Sequence, residues 1–149
     1  PPDIRQPVRV PAVLQHIWWR GQYVVRGGPT EELWKLRLAV SKQQPLVCFT
    51  LRENIASTTE TTGSFEQADP QWMDIKGVTD LKPGTKENPT KNTPAFVEEI
   101  DRGEAEIFES NASFLKVNFH MKGVKGLWIF EKPEPRQNLW VARKERSSP

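Results

Sequence analysis

Apolar and polar positions alternate along most of this chain with a period of two, and nowhere with a sustained helical period. In Leu33-Trp34-Lys35-Leu36-Arg37-Leu38-Ala39-Val40, one face carries Trp34, Leu36, Leu38 and Val40 and the other Leu33, Lys35, Arg37 and Ala39, as the side chains of a strand must. Leu115, Val117, Phe119 and Met121 oppose Lys116, Asn118 and His120 in the same way. Further strands are expected over 12–19, 22–25, 46–52, 95–100, 104–109, 125–131 and 138–142. Turn residues separate several of them: Arg26-Gly27-Gly28-Pro29, Asp101-Arg102-Gly103, Lys122-Gly123 and Pro133-Glu134-Pro135. So many short strands and no capped helix predict an all-β domain, an antiparallel barrel or sandwich.

The exception is Glu53 to Thr93, rich in Thr, Asn, Gly, Pro and acid. It reads as one long ordered loop, pinned to the body by Phe65, Trp72, Met73 and Ile75, and a loop of that length in a small domain points to function or interaction. Its last part, Asn88-Pro89-Thr90-Lys91-Asn92-Thr93-Pro94, sets Asx and Thr turn formers between prolines, which favours order over flexibility. The expected organisation is therefore a single barrel domain, with strands in 12–52 and 94–142, the acidic loop over 53–93 and a charged tail over 143–149.

Composition narrows the class. With 149 residues, 36% of them hydrophobic, the chain can bury one core. Its apolar runs are too short to span a bilayer and no signal-peptide core is visible, so membrane association and secretion are not expected, and a cytoplasmic or virion location is. The start at Pro1-Pro2 reads as a processed product or an excised fragment. The net charge of +2 conceals +5 over 1–52, −8 over 53–110 and +5 over 111–149. That pattern either polarises the surface toward a charged partner or lets the acidic segment fold back and neutralise the basic strands. The second is expected, because folded chains commonly compensate their own charge.

Candidate chemistry is sparse. His16 and His120 fall in separate strands; with a carboxylate two His could hold Zn, Mn or Fe, but an exposed or hydrogen-bonded state is the expectation for each. Cys48, within Leu46-Val47-Cys48-Phe49, reads as a buried structural thiol. Gly27-Gly28-Pro29-Thr30 lacks Walker spacing, and Gly63-Ser64 lacks the second glycine of a nucleophile elbow. Six Trp and seven Phe could offer stacking platforms to single-stranded nucleic acid, although in a small barrel they are expected to fill the core. Asn111-Ala112-Ser113 fits a glycosylation sequon, which matters only in a secreted protein.

Gln15-His16-Ile17-Trp18-Trp19-Arg20-Gly21, Leu33-Trp34-Lys35-Leu36-Arg37-Leu38, Pro83-Gly84-Thr85, Asp101-Arg102-Gly103-Glu104-Ala105-Glu106, Phe114–Phe119 and Lys122-Gly123-Val124-Lys125-Gly126-Leu127-Trp128 follow one another in an order that, over residues 12–132, resembles the 3′-phosphoesterase domain of bacterial DNA ligase D. The resemblance implies a small closed antiparallel β-barrel. It also implies manganese-dependent removal of 3′-terminal ribonucleosides and phosphates from DNA ends, using a His-x-Asp-x-Arg strand whose three side chains share one face. Here that triplet falls on Leu33, Lys35 and Arg37. Only the Arg is kept, and a Lys repels the cation that an Asp would hold. His16 takes the place of the family's early His, and 45–52 has no counterpart of its further His. Degenerate relatives with a Gly-Gly-Pro insertion and an Asn-Pro-Thr-Lys-Asn-Thr-Pro-like loop resemble modules of phage-encoded proteins.

The expected function is a non-catalytic binding or structural barrel, with capsid association in a virion as one form of it, with a protein partner or a homo-oligomeric assembly and no metal or cofactor. Arg20, Lys35 and Arg37 would then bind phosphate or an acidic surface, and Phe65 and Trp72 would anchor an interface. One alternative is a manganese-dependent end-processing enzyme using His16, Arg37 and His120. The other is a nucleic-acid-binding barrel.

Overall fold

The computed structural model describes residues 7–20, 24–25, 28–29, 32–41 and 44–146. Its strands, in chain order, are β1 (Val8–Trp19), β2 (Val24–Val25), β3 (Gly28–Pro29), β4 (Leu33–Leu38), β5 (Leu46–Leu51), β6 (Glu60–Ala68), β7 (Val78–Leu81), β8 (Ala95–Asn111), β9 (Phe114–Met121), β10 (Lys125–Glu131) and β11 (Trp140–Lys144). Hydrogen bonding runs β1-β4-β5-β6-β11-β10-β9-β8 and returns from β8 to β1, which closes an antiparallel barrel of eight strands. β7 adds to the barrel from outside, on the first residues of β8. Among the described residues β2 and β3 pair with each other and with no other strand. Among the described residues no helix is long and apolar enough to cross a membrane. Of the expected 22–25 strand and the Arg26-Gly27-Gly28-Pro29 turn, residues 22, 23, 26 and 27 lie outside the described residues, as do the last three of the tail.

Alternation decides what fills the barrel. Leu14, Leu36, Phe49, Val117, Phe119, Trp128 and Phe130 face inward and are all but fully buried; each such side chain adds about 1.5–3 kcal/mol by leaving water. One end is plugged by Ile55, from the β5–β6 connection, and Val124, from the β9–β10 turn. The odd-numbered residues of β1 point outward, so Val13 and Ile17 join two separate apolar clusters on the outer wall. Covering them is the segment from Asp69 to Pro94. It begins with a 3-10 turn, Pro70–Asp74, capped by the Asp69 carboxylate on Gln71 N, and it lays Trp72, Met73, Ile75 and Leu81 on the wall.

The long crossing is thus shorter than 53–93, because β6 belongs to the barrel. Glu60–Ala68 has no apolar alternation to announce it; what it has is Gly63, where a Cβ would collide with the Thr50 carbonyl of β5. The close approach of two backbones, rather than side-chain burial, selects the residue there. Asp101-Arg102-Gly103 is not a turn either. β8 runs through it without a break, and a bulge leaves Ile100 unpaired between Glu99, opposite Gln15, and Asp101, opposite Leu14. The extra residue switches which parity faces inward, so Val97 lies outside and Ala105 and Ile107 inside.

Asp101, brought inside by that switch, accepts hydrogen bonds from Lys122 N (3.2 Å), Gly123 N (2.8 Å) and Val124 N (2.8 Å), closing the β9–β10 turn over the plugged end. Bonds from amides to a carboxylate are worth roughly 1.5–3 kcal/mol each before reorganisation. Asp101→Ala is expected to lower stability by about 2–4 kcal/mol, read as a fall in the urea midpoint at unchanged slope; a loss within about 0.5 kcal/mol would refute this role.

Candidate functional site

Lys35 and Arg37 project outward from β4 and would be exposed cations were the wall bare. Instead both are covered: Arg37 is 0% and Lys35 7% accessible. Arg37 Nε donates to Gln15 Oε1 (2.8 Å) and Nη1 to Cys48 Sγ (3.4 Å). Its guanidinium carbon lies 5.0 Å from the centre of the Trp72 ring, a cation–π contact that gains strength from desolvation. Gln15 ties the site to its cover, since its Nε2 donates to the Trp72 carbonyl (2.5 Å). Lys35 Nζ donates to Thr50 Oγ1 (2.7 Å) and to Glu66 Oε1 (2.6 Å).

The fourth charge comes from the crossing segment. Glu87 Oε2 sits 3.6 Å from Lys35 Nζ and 3.9 Å from Arg37 Nη2. Among the described residues neither Arg37 Nη2 nor Glu87 Oε2 has a hydrogen-bond partner, so at these separations their attraction is coulombic and not a hydrogen bond. The two covered cations and two carboxylates balance in charge, with the exposed Lys86 at 4.0 Å from Glu66 Oε2 outside them. Glu87 is held there by the residue after it. The buried Asn88 donates to the carbonyls of Leu81 (2.8 Å) and Thr93 (2.9 Å) through Nδ2, while its Oδ1 lies 2.7 Å from the Thr90 hydroxyl. The Asn-Pro-Thr-Lys-Asn-Thr-Pro segment is therefore a self-capped turn that delivers one carboxylate to the wall.

The electrostatics follow from burial and neighbours. Burial pushes the Glu66 carboxyl up, but the hydrogen bond and charge of Lys35, with Lys86 and Arg37 behind it, outweigh that and hold its pKa below the ordinary 4.5. Burial also pushes the Cys48 thiol up, to about 11, against the pull of Arg37 and Lys35. Cys48 is a neutral packing thiol that accepts from Arg37, not a nucleophile.

The other candidates do not converge on this cluster. His16 faces inward at the plugged end, stacked between Trp18 (5.2 Å) and Trp34 (5.1 Å), with Glu32 and Glu98 at 3.4 and 4.0 Å from its ring nitrogens. His120 faces outward from β9, beside Glu106 (3.6 Å) and Asn118 (3.2 Å). Arg20 lies five residues beyond Gln15, roughly 17 Å at strand rise, and rests over the Phe96 ring. Phe65 and Trp72 both pack within the chain: Phe65 against Phe49 and Trp140, Trp72 on Arg37. Among the described residues no three His, Cys, Asp or Glu side chains gather to hold a metal ion.

A manganese ion does not fit at Leu33, Lys35 and Arg37, because Lys35 places an ammonium in the pocket and its neighbouring carboxylate is already bonded to it. Sequence reading missed Gln15, Glu66 and Glu87. Glu66 had a weak signal, standing opposite Cys48 once β6 is recognised; Glu87 had none. Comparison with protein-family models and with curated proteins found no match for this chain.

Removing one partner of a buried ion pair typically costs 3–5 kcal/mol, whereas replacing the whole group by apolar residues costs far less. Glu87→Ala is expected to destabilise by about 3 kcal/mol in urea unfolding, and adding Glu87→Leu to Arg37→Met is expected to restore part of what Arg37→Met loses; strictly additive losses would disprove the pairing. The pH dependence has a defined sign. A carboxyl with a depressed folded pKa contributes stability above its unfolded value, 4.5, and loses it as pH falls through the folded value. Stability should therefore decline on acidification below 4.5, with a shallower decline in Glu66→Gln; identical acid limbs for the two proteins would contradict it.

Proposed function

We propose that this chain is a non-catalytic barrel of the ligase D phosphoesterase type, acting by binding or structural association and not by turnover. The observation that carries the reading is the neutral cluster on the wall: Lys35 and Arg37, the positions a phosphoryl group or metal would require, are neutralised by the chain's own Glu66 and Glu87 and covered by Trp72. A phosphate entering would have to displace a bonded carboxylate and lift the cover, both at a cost in buried charge. The partner in this reading is a protein surface or further copies of the chain. The likeness to phage-encoded modules makes a virion-associated structural role the specific form proposed.

Nucleic-acid binding is less well supported. The half-buried His16–Trp18–Trp34 stack offers aromatic faces, but Glu32 and Glu98 flank it and would repel phosphates.

The deciding assay is 3′-end processing of a primer–template ending in one ribonucleotide, with Mn²⁺ supplied. No release of the terminal nucleoside is expected from protein shown to be folded by circular dichroism. Turnover that disappears in Arg37→Ala would overturn the proposal and return the enzyme reading.

A further inference from the structure

An eight-stranded barrel is just wide enough either to fill itself with side chains or to hold one small ligand. This barrel does the first at its plugged end and not at the other. Between the β4–β5 connection, the β8–β9 turn and the β10–β11 connection lies a cavity of ≈ 700 Å³ that opens to solvent, within the range of small-molecule sites. Its walls are Leu38, Val47, Phe49, Phe65, Ile107 and Trp140, contributed by five different strands, so the surface is concave and belongs to the rigid frame of the barrel.

The polar side chains described in the mouth are Gln44, Gln67, Ser110, Asn111, Lys132 and Asn138. Asn138 is engaged by the protein: its amide brackets Phe65, accepting from Phe65 N (3.0 Å) and donating to Phe65 O (2.8 Å), which fixes the β6 edge. Ser110 and Gln67 also line the cavity, on inward-facing positions opposite Leu115 and Val47. Neither side chain has a hydrogen-bond partner among the described residues, so both offer open polar groups to the cavity. Among the described residues, Lys132 is the one charged residue of the lining, and it makes no ion pair with any of them.

We propose that this mouth binds an amphiphilic monocarboxylate: an apolar chain against Phe49, Phe65 and Ile107, a carboxylate at Lys132, and hydrogen bonds from Ser110 and Gln67. Charge complementarity selects the acid over an alcohol or an amine of the same chain length. The site shares no residue with the Lys35–Arg37 cluster, so it stands or falls separately from the non-catalytic reading.

The test is calorimetric titration of the full chain with sodium dodecanoate below its micellar concentration, with dodecanol and dodecylamine as controls. One-to-one saturable binding of dodecanoate is expected, weakened about tenfold in Lys132→Gln and lost in Ala112→Trp, which sets a large ring on the exposed turn at the opening. Val47→Trp, filling the cavity from inside, should abolish binding as well, and circular dichroism identifies any variant that fails to fold. Absence of saturable binding to the folded protein, equal affinity for the alcohol, or full binding by Ala112→Trp would each overturn the proposal. Detection of 3′-end turnover would not, since it concerns the other site.

Discussion

A guanidinium with no exposure to water constrains everything around it. Transferring the Arg37 charge from water is costly by several kcal/mol even after relaxation, and the outer wall is arranged to meet that cost. Gln15 from β1 and Cys48 from β5 accept from it, Trp72 covers its face, and Glu87 balances its charge. The covering segment 69–94 is held by β7 on β8, by Met73, Ile75 and Leu81 on the wall and by charge, since its withdrawal would strand two cations beside a single carboxylate. Arg102 adds a second tie on the opposite edge, bonding to both Glu99 and the Met73 carbonyl.

What could be read from the sequence was whatever depended on local alternation. The faces of β4 and β9, the inertness of Cys48, the outward His120 and the neutralisation of basic strands by the acidic middle segment all follow from side-chain period and charge, and the structure has them. Local pattern failed where a backbone requirement replaced a side-chain one. β6 is polar and was hidden because its place depends on Gly63 meeting Thr50. The bulge at Ile100 put the same Asp-Arg-Gly residues that signal a turn into the middle of a strand, where the Asp serves a turn some twenty residues away. Glu87 was out of reach altogether, because only the Asn88 turn and the path of the crossing segment bring it to β4.

The balance of charge at the wall involves more residues than Lys35 alone. An aspartate at position 35 would stand beside Glu66 and Glu87, giving three carboxylates against Arg37; such a group is unstable without a divalent cation. The ammonium of Lys35 supplies internally the positive charge that the cation would bring. The cluster is self-sufficient as it stands, and its two carboxylates are as much a part of that state as the Lys.

Strand β6 links this wall to the open mouth of the barrel. Alternation sends Glu66 outward to Lys35 and its two neighbours, Phe65 and Gln67, inward to the cavity. A strand gripped on one face by an ion pair and on its backbone by Asn138 has little freedom to slide, since a shift of one residue would exchange its faces entirely. The charge cluster therefore sets the shape of the mouth without touching it. The covered wall and the accessible cavity thus share a strand, each using one face of β6.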